Sequence, residues 1–243
     1  MDKPIGVGAG LVAPPLAETR MTMIFLHETH AVIGEHESTF EELVRDGYLG
    51  PLASDPETKL LWYFDSTHGA GEGYKVVTIT GFADGEAYER YLDRVLSGDL
   101  AEWMRNADQL RYNLVGCLLV DAGVGFGQDV SLAHVPTDGH EHATAVFRQD
   151  IVWPAAGADL LSAVRKQAAG LTADVMSLER TFRPALAAME EPTVMLFHRV
   201  VDTERWVAAW NEEVSDWPGA IGPLPGARRE SRLLRTSRWS PLG

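Results

Sequence analysis

MIFLHETHAVIGEHESTFEELVRDGY, residues 23–48, is the stretch on which the fold turns. Its first ten residues are rich in apolar and β-branched side chains and end at Gly34, which reads as a strand. The period then changes. Over residues 36–46 and just beyond, Phe40, Leu43, Val44 and Tyr48 share one helical face, with Glu37, Glu41, Glu42 and Arg45 on the other. Gly47 and the pair Gly50-Pro51 are expected to stop that helix.

Outward from this stretch the same order continues. Strands are expected at 59–65 and 74–81, separated by a glycine-rich turn at 67–73. Asp84 is placed to cap a helix carrying Tyr88, Tyr91, Leu92, Val95 and Leu96 on one stripe. A short helix at 100–110 and a strand at 111–120 follow. After residues 122–142, which contain Gly123, Gly125, Gly127, Pro136 and Gly139, the order returns. Strands are expected at 143–152, 176–183, 193–201 and 229–237, and helices at 156–168 and 203–215.

The repeat lies in pattern rather than in letters. Phe40, Leu43, Val44 and Tyr48 recur as Leu160, Ala163, Val164 and Ala168. Asp84, Glu86, Tyr88, Tyr91, Leu92 and Val95 recur as Asp202, Glu204, Trp206, Ala209, Trp210 and Glu213. A β-α-β-β-α-β unit is the ferredoxin-like arrangement, a four-stranded antiparallel sheet with helices on one face. Its bare face needs a cover, and a sister sheet supplies one. The expected fold class is α+β: two tandem ferredoxin-like units whose sheets face each other around a lumen. The expected boundaries are a tail at 1–20, a first unit at 21–121, a linker at 122–142 and a second unit at 143–243. Met21 and Met23 are both candidate starts.

Composition narrows the function. The chain has 243 residues, 35 Asp and Glu against 21 Lys and Arg, and a formal net charge of −14. That charge repels phosphate backbones, so nucleic acid is not an expected partner. The arginines at 228, 229, 232, 235 and 238 read as a solvated strand face and tail. No apolar run reaches the ~18 residues of a membrane span, and Gly and Pro interrupt residues 1–20 where a signal peptide needs an apolar stretch. Cys117 is the one cysteine, which excludes an intrachain disulfide and fits a cytoplasmic location. It sits in an apolar run and reads as a structural thiol.

The opening MIFLHETHAVIGEHESTFEELVRDGYLGPLA, followed by LLWYFDSTHGAGEGYKVVTITGF, resembles the dimeric α/β-barrel superfamily, and within it NIPSNAP-type proteins. The resemblance covers nearly the whole chain as two fused units. It implies a barrel whose usual members pair two chains, so a homo-oligomer is compatible with it. It also implies a choice among cofactor-free monooxygenases, polyketide cyclases, muconolactone isomerase-like enzymes, haem enzymes and members without known activity.

Strand alternation sorts side chains by face. Val77, Ile79, Met195 and Phe197 are expected to face the helices, as are Phe25, His27, Thr29, Ala31, Phe147, Gln149 and Ile151. The mixed-polarity face, with Tyr74, Val76, Thr78, Thr80, Val194, Leu196 and His198, is expected to line the lumen. Glu28 and His30 share that parity, and Arg148 and Asp150 hold the matching places in the second unit. The candidate catalytic set is therefore Glu28, His30, Arg148, Asp150 and His198. A carboxylate beside a histidine can move a proton, and an arginine can hold an enolate oxygen. Trp62, Phe64, Tyr74, Thr78 and Thr80 are candidates to contact substrate. Against this stands a buried ion-pair network that holds sheets in register.

Other signals point away from cofactors. His27 and His30 fall on opposite strand faces and lack the spacing of a helical zinc site; Glu28 and His30 would be the first metal ligands to test, and none is expected. The glycine runs at 6–10 and 123–127 do not sit between a strand and a helix as phosphate-binding loops do. No nucleophile elbow is present. The expected function is an enzyme that turns over a small apolar organic molecule by cofactor-independent acid–base chemistry: cyclisation, isomerisation or elimination. A cofactor-free monooxygenase is the alternative on the same fold. A non-catalytic binding or scaffolding protein is the rival, and it predicts a lumen filled by side chains.

Overall fold

A computed structural model describes residues 23–67, 73–125, 130–139, 141–153, 159–168, 174–185, 193–211 and 228–243. The expected tail at 1–20, most of the turn at 67–73, the helix start at 156–158 and the helix end at 212–215 lie outside the described residues, as does the glycine run at 6–10.

Eight strands close one antiparallel barrel. They are β1 Ile24–Val32, β2 Thr58–Ser66, β3 Lys75–Phe82, β4 Arg111–Asp121, β5 Val146–Trp153, β6 Met176–Pro184, β7 Val194–Val200 and β8 Arg228–Thr236. Their order around the barrel is β1-β3-β2-β8-β5-β7-β6-β4. Residues 24–121 thus contribute four adjacent strands in the order β4-β1-β3-β2, and residues 146–236 contribute β8-β5-β7-β6. Neighbours inside each set pair over six or more positions. The two sets meet at two short seams. Phe64, Asp65 and Ser66 pair with Thr236, Arg235 and Leu234; Leu119, Val120 and Asp121 pair with Pro184, Arg183 and Phe182.

Helices cover the outside. α1 Glu37–Val44 runs on through a wide π-type turn at Arg45–Leu49 into α2 Gly50–Ala53. The expected stop at Gly47 does not occur. A Cβ there would lie 3.0 Å from the Trp103 ring, so glycine serves close packing rather than termination. Pro51, which has no N–H to give to the preceding turn, stands directly after the wide π-type turn. Asp84 caps α3 Gly85–Leu96 as expected, its side chain accepting from the Ala87 amide at 2.9 Å. α4 Ala101–Leu110, α5 Leu160–Ala168 and α6 Thr203–Asn211 complete the set.

The two faces of the barrel wall are the reverse of the sequence expectation. Phe25, Phe64, Val77, Ile79, Phe147, Phe182, Met195, Phe197 and Leu234 come from both halves of the chain and form one cluster, which is the lumen. Its rings interlock: Phe25–Phe182 centroids are 5.0 Å apart, Phe182–Phe197 5.7 Å, Phe64–Phe197 6.1 Å and Phe64–Phe147 5.2 Å. Leu26, Leu60, Tyr63, Val76 and Phe82 instead pack under the helices with Phe40, Val44, Tyr48, Tyr91 and Trp103. The cause is that β1 is buried on both faces, with lumen inside and helices outside. Polarity then has no solvent face to mark: both faces carry large apolar side chains, and each also carries buried polar ones, Glu28 and His30 under the helices and His27 and Gln149 in the lumen.

The segment between the halves is also part of the core. Leu132 and Val135 join the lumen cluster. Leu132 packs on Gly81, where a Cβ would lie 2.9 Å from Leu61 and 3.1 Å from Leu132. After β8 the chain crosses back over the first half. The Ser237 and Leu242 amides donate to the Tyr63 and Leu61 carbonyls at 3.2 and 2.9 Å. Trp239 packs at a tilt on Tyr63, ring centroids 4.9 Å apart, and belongs to the core beneath α1. No described helix is long and apolar enough to cross a membrane.

Candidate functional site

The five candidate catalytic residues fall into two groups on different halves of the chain. Glu28 and His30 lie under the helices of residues 37–110. Arg148, Asp150 and His198 lie on the outward face of β5 and β7, beside the cluster formed with α5. The expectation of one shared cavity is therefore corrected: the barrel wall brings Glu28 and His30 together and keeps Arg148, Asp150 and His198 apart from them.

In the first group, Glu28 sits between Thr78 on β3 and Gly116 on β4. Its carboxyl is buried and makes no hydrogen bond to a described residue. Burial pushes its pKa from the ordinary 4.5 up to about 7, against the opposing pull of Arg111. Arg111, the first residue of β4, is 2% exposed in its side chain. Its Nη1 donates to His30 Nδ1 at 2.8 Å. Nε and Nη2 donate to Asp108 at 3.0 and 2.6 Å, and Nη2 also meets the Met104 sulfur at 2.8 Å. Guanidinium has no acceptor, so His30 Nδ1 must be the acceptor and Nε2 must carry the proton. Nε2 then donates to Thr78 Oγ1 at 3.0 Å. Burial, with Arg111 second, holds the His30 imidazole well below its usual pKa and thus neutral. Phe40 of α1 packs on the ring at 5.1 Å.

The roof of this site is phenolic. Tyr48 shares a hydrogen bond with Thr80 Oγ1 at 3.0 Å and donates to the Tyr91 hydroxyl at 3.0 Å. Burial, reinforced by the Glu28 charge, raises the pKa of Tyr48. Trp103 stacks on Tyr48 at 4.3 Å. Gly116 leaves the other side open. It is exposed, and a Cβ there would meet only Leu26 at 3.7 Å and Glu28 Cγ at 4.0 Å.

The second group is more fully engaged. Arg148 Nε donates to Asp150 at 3.0 Å, Ser231 also donates to Asp150, and His198 Nδ1 stands 3.8 Å from the same carboxylate. Burial lowers the His198 pKa to about 4. A third polar group lies in the lumen, where helix-facing residues were expected. Gln149 Nε2 donates to His27 Nε2 at 2.8 Å, while Arg232 donates to Gln149 and, at 3.2 Å, to Thr29. Burial, then Arg232, lowers the His27 pKa to about 3.

Of the candidate substrate contacts, Phe64 lies in the lumen and Trp62 packs against that cluster. Thr78 and Thr80 lie under the helices with Glu28, and Tyr74 is 46% exposed at φ 56°. Arg111, Tyr48, Tyr91 and Asp108 were not foreseen as site residues. The signal for Arg111 was a lone arginine opening an apolar strand; for the tyrosines it was two phenols in otherwise apolar helix stripes. A surface cleft of about 350 Å³ also lies at the β2–β8 seam, lined by Glu37, Ser38, Glu41, Asp65, Ser66, Thr67 and Arg235. Burial, then Glu41 and Glu37, pushes the Asp65 pKa up to about 7. Among the described residues no group of three or more His, Cys, Asp or Glu is arranged to hold a metal ion.

No protein-family model matches the chain, and no curated protein matches it either. Solved structures do. A protein provisionally named a monooxygenase from Lactobacillus acidophilus is 12% identical, with 91% of this chain and 98% of that one covered at a TM-score of 0.57. An anthrone oxidase-like protein is 10% identical over 91% and 94%, at 0.56. A NIPSNAP family protein from Agrobacterium tumefaciens aligns over 44% of this chain and 93% of its own, at 16% identity and 0.35. The fold is that of the dimeric α/β barrels.

Proposed function

We propose that the chain is an enzyme acting on a small organic molecule by acid–base chemistry at Glu28, on the helix-covered face of β1 and β4. The observation that carries this is a buried carboxyl near neutrality, without a hydrogen-bond partner among the described residues and facing Arg111. A group that titrates near the working pH is the best compromise for accepting and returning a proton. The carboxylate takes a proton from a C–H or O–H of the substrate. Arg111 holds the negative charge left on the substrate oxygen. Glu28 then returns the proton at another atom, which gives isomerisation, cyclisation or elimination. The open side at Gly116 is the route in.

The chain is read as two tandem units in one barrel, with the site in the first. Strand register supports the correspondence: Glu28 pairs with Thr78 and Gly116 as Arg148 pairs with His198 and Leu233. Thr78 is then the counterpart of His198. Gly116 leaves room where Leu233 fills it, and Glu28 has no hydrogen-bond partner among the described residues where Arg148 is held by Asp150.

Two other readings have observations behind them. The names of the matched structures favour oxygenation; on that reading the same substrate anion reacts with dioxygen. The aromatic packing of the lumen and the closed Arg148–Asp150 pair favour a non-catalytic role. Turnover of a panel of small enolisable aromatic and polyketide-like ketones, with oxygen uptake monitored, separates them. Proton exchange or rearrangement that falls on the order of 100-fold in Glu28→Gln supports the acid–base assignment. Undiminished turnover in Glu28→Gln removes it, and oxygen uptake selects the monooxygenase.

A further inference from the structure

We propose that His30 is a positioning residue: it fixes the direction of the Arg111 guanidinium, whose charge acts on Glu28, and carries no proton in the reaction. Its catalytic meaning rests on the role of Glu28 argued above, but its geometry does not. Of the five N–H donors of Arg111, four are engaged by described residues: two by Asp108, one by Met104 and one by His30. Asp108 lies on one side of the guanidinium and is 61% exposed. His30 is the buried acceptor on the other side, and it fixes which way Nη1 points. The fifth donor, also on Nη1, is left for Glu28 or for a substrate oxygen.

His30 is tied at both ends, accepting at Nδ1 and donating from Nε2 to Thr78. Taking a proton at Nδ1 would break the bond to Arg111 and set two cations 2.8 Å apart in a buried site. The charged group in contact with it is Arg111 of β4; Glu28 lies two residues away on its own strand, and Asp108 of α4 bonds Arg111 rather than the ring. Among the described contacts, β3 offers the Thr78 hydroxyl and α1 the Phe40 ring. His27 acts on it only through charge.

The test uses the intact chain and needs no substrate. The nitrogen-15 shifts of the His30 ring should show one neutral form, protonated at Nε2, from pH 5.5 to 8. A midpoint inside that range, or a proton on Nδ1, overturns the proposal. The Glu28 carboxyl, followed by carbon-13 shift, should titrate higher by about one pH unit in His30→Leu, because Arg111 is released. His30→Gln, which can accept from Arg111 and donate to Thr78, should restore the wild-type midpoint. An unchanged midpoint in folded His30→Leu, or the same rise in His30→Gln, overturns it. Should His30→Leu not fold, the wild-type ring shifts and His30→Gln still decide. The Glu28→Gln turnover experiment is separate, so the two ideas can fail independently.

Discussion

Glu28 is moved by burial more than by any partner, and that has a measurable sign. Its folded pKa of about 7 lies above its ordinary 4.5, so the native state binds more protons than the unfolded chain between those values. Its contribution is full below about pH 4.5 and is lost as pH rises through about 7. Urea unfolding should therefore show Glu28→Gln gaining on the wild type across that window, by at most about 3 kcal/mol. His27 and His198 act in the opposite sense. Their folded values of about 3 and about 4 lie below 6.5, so their contribution is present above pH 6.5 and lost as pH falls. Two glycines give a contrast at the same scale. Gly125 has φ 144°, and a Cβ there would lie 2.5 Å from the Glu179 carbonyl oxygen. Gly125→Ala should cost about 2 kcal/mol or more. Gly116→Ala meets ordinary contacts and should stay within about 1 kcal/mol, as thermal melting would show.

Elements were legible where one periodicity ruled. β1, β2, β3, α3, α4 and β4 fall within a residue or two of expectation, because the strands are apolar runs bounded by turn residues and the helical period is written in Tyr88, Tyr91 and Val95. Element faces were not legible. A strand such as β1, covered on both sides, carries no solvent face, and polarity pointed to the wrong side. Glu28 and His30 could be singled out by type, but their partner Arg111 could not, since the contact spans 81 residues of sequence. The residues between the halves were also undervalued, because glycines and a proline there obscured Leu132 and Val135. Two substitutions measure these points by denaturant unfolding. Asp84→Ala should cost about 1 kcal/mol through loss of the α3 cap. Leu132→Ala should cost about 2–5 kcal/mol, as expected of a buried leucine and not of a surface linker.

At the scale of the whole molecule, the halves depend on each other through the shared lumen cluster, two three-residue seams and the crossing strap at residues 237–242. The strap inserts Trp239 into the core of the first half, where its indole N–H donates to Glu41 at 2.8 Å. Trp239→Ala should cost about 3–5 kcal/mol, and proteolysis should then attack β2 and α1 before β5 and β7. The same tryptophan sets a schedule for synthesis. Residues 24–121 leave the ribosome with a gap in their core that is filled only when position 239 emerges, more than a hundred residues later. At ribosomal rates of ~5–20 residues per second, that is a wait on the order of ten seconds. During it the first half has Tyr63 without the indole that covers it in the finished barrel.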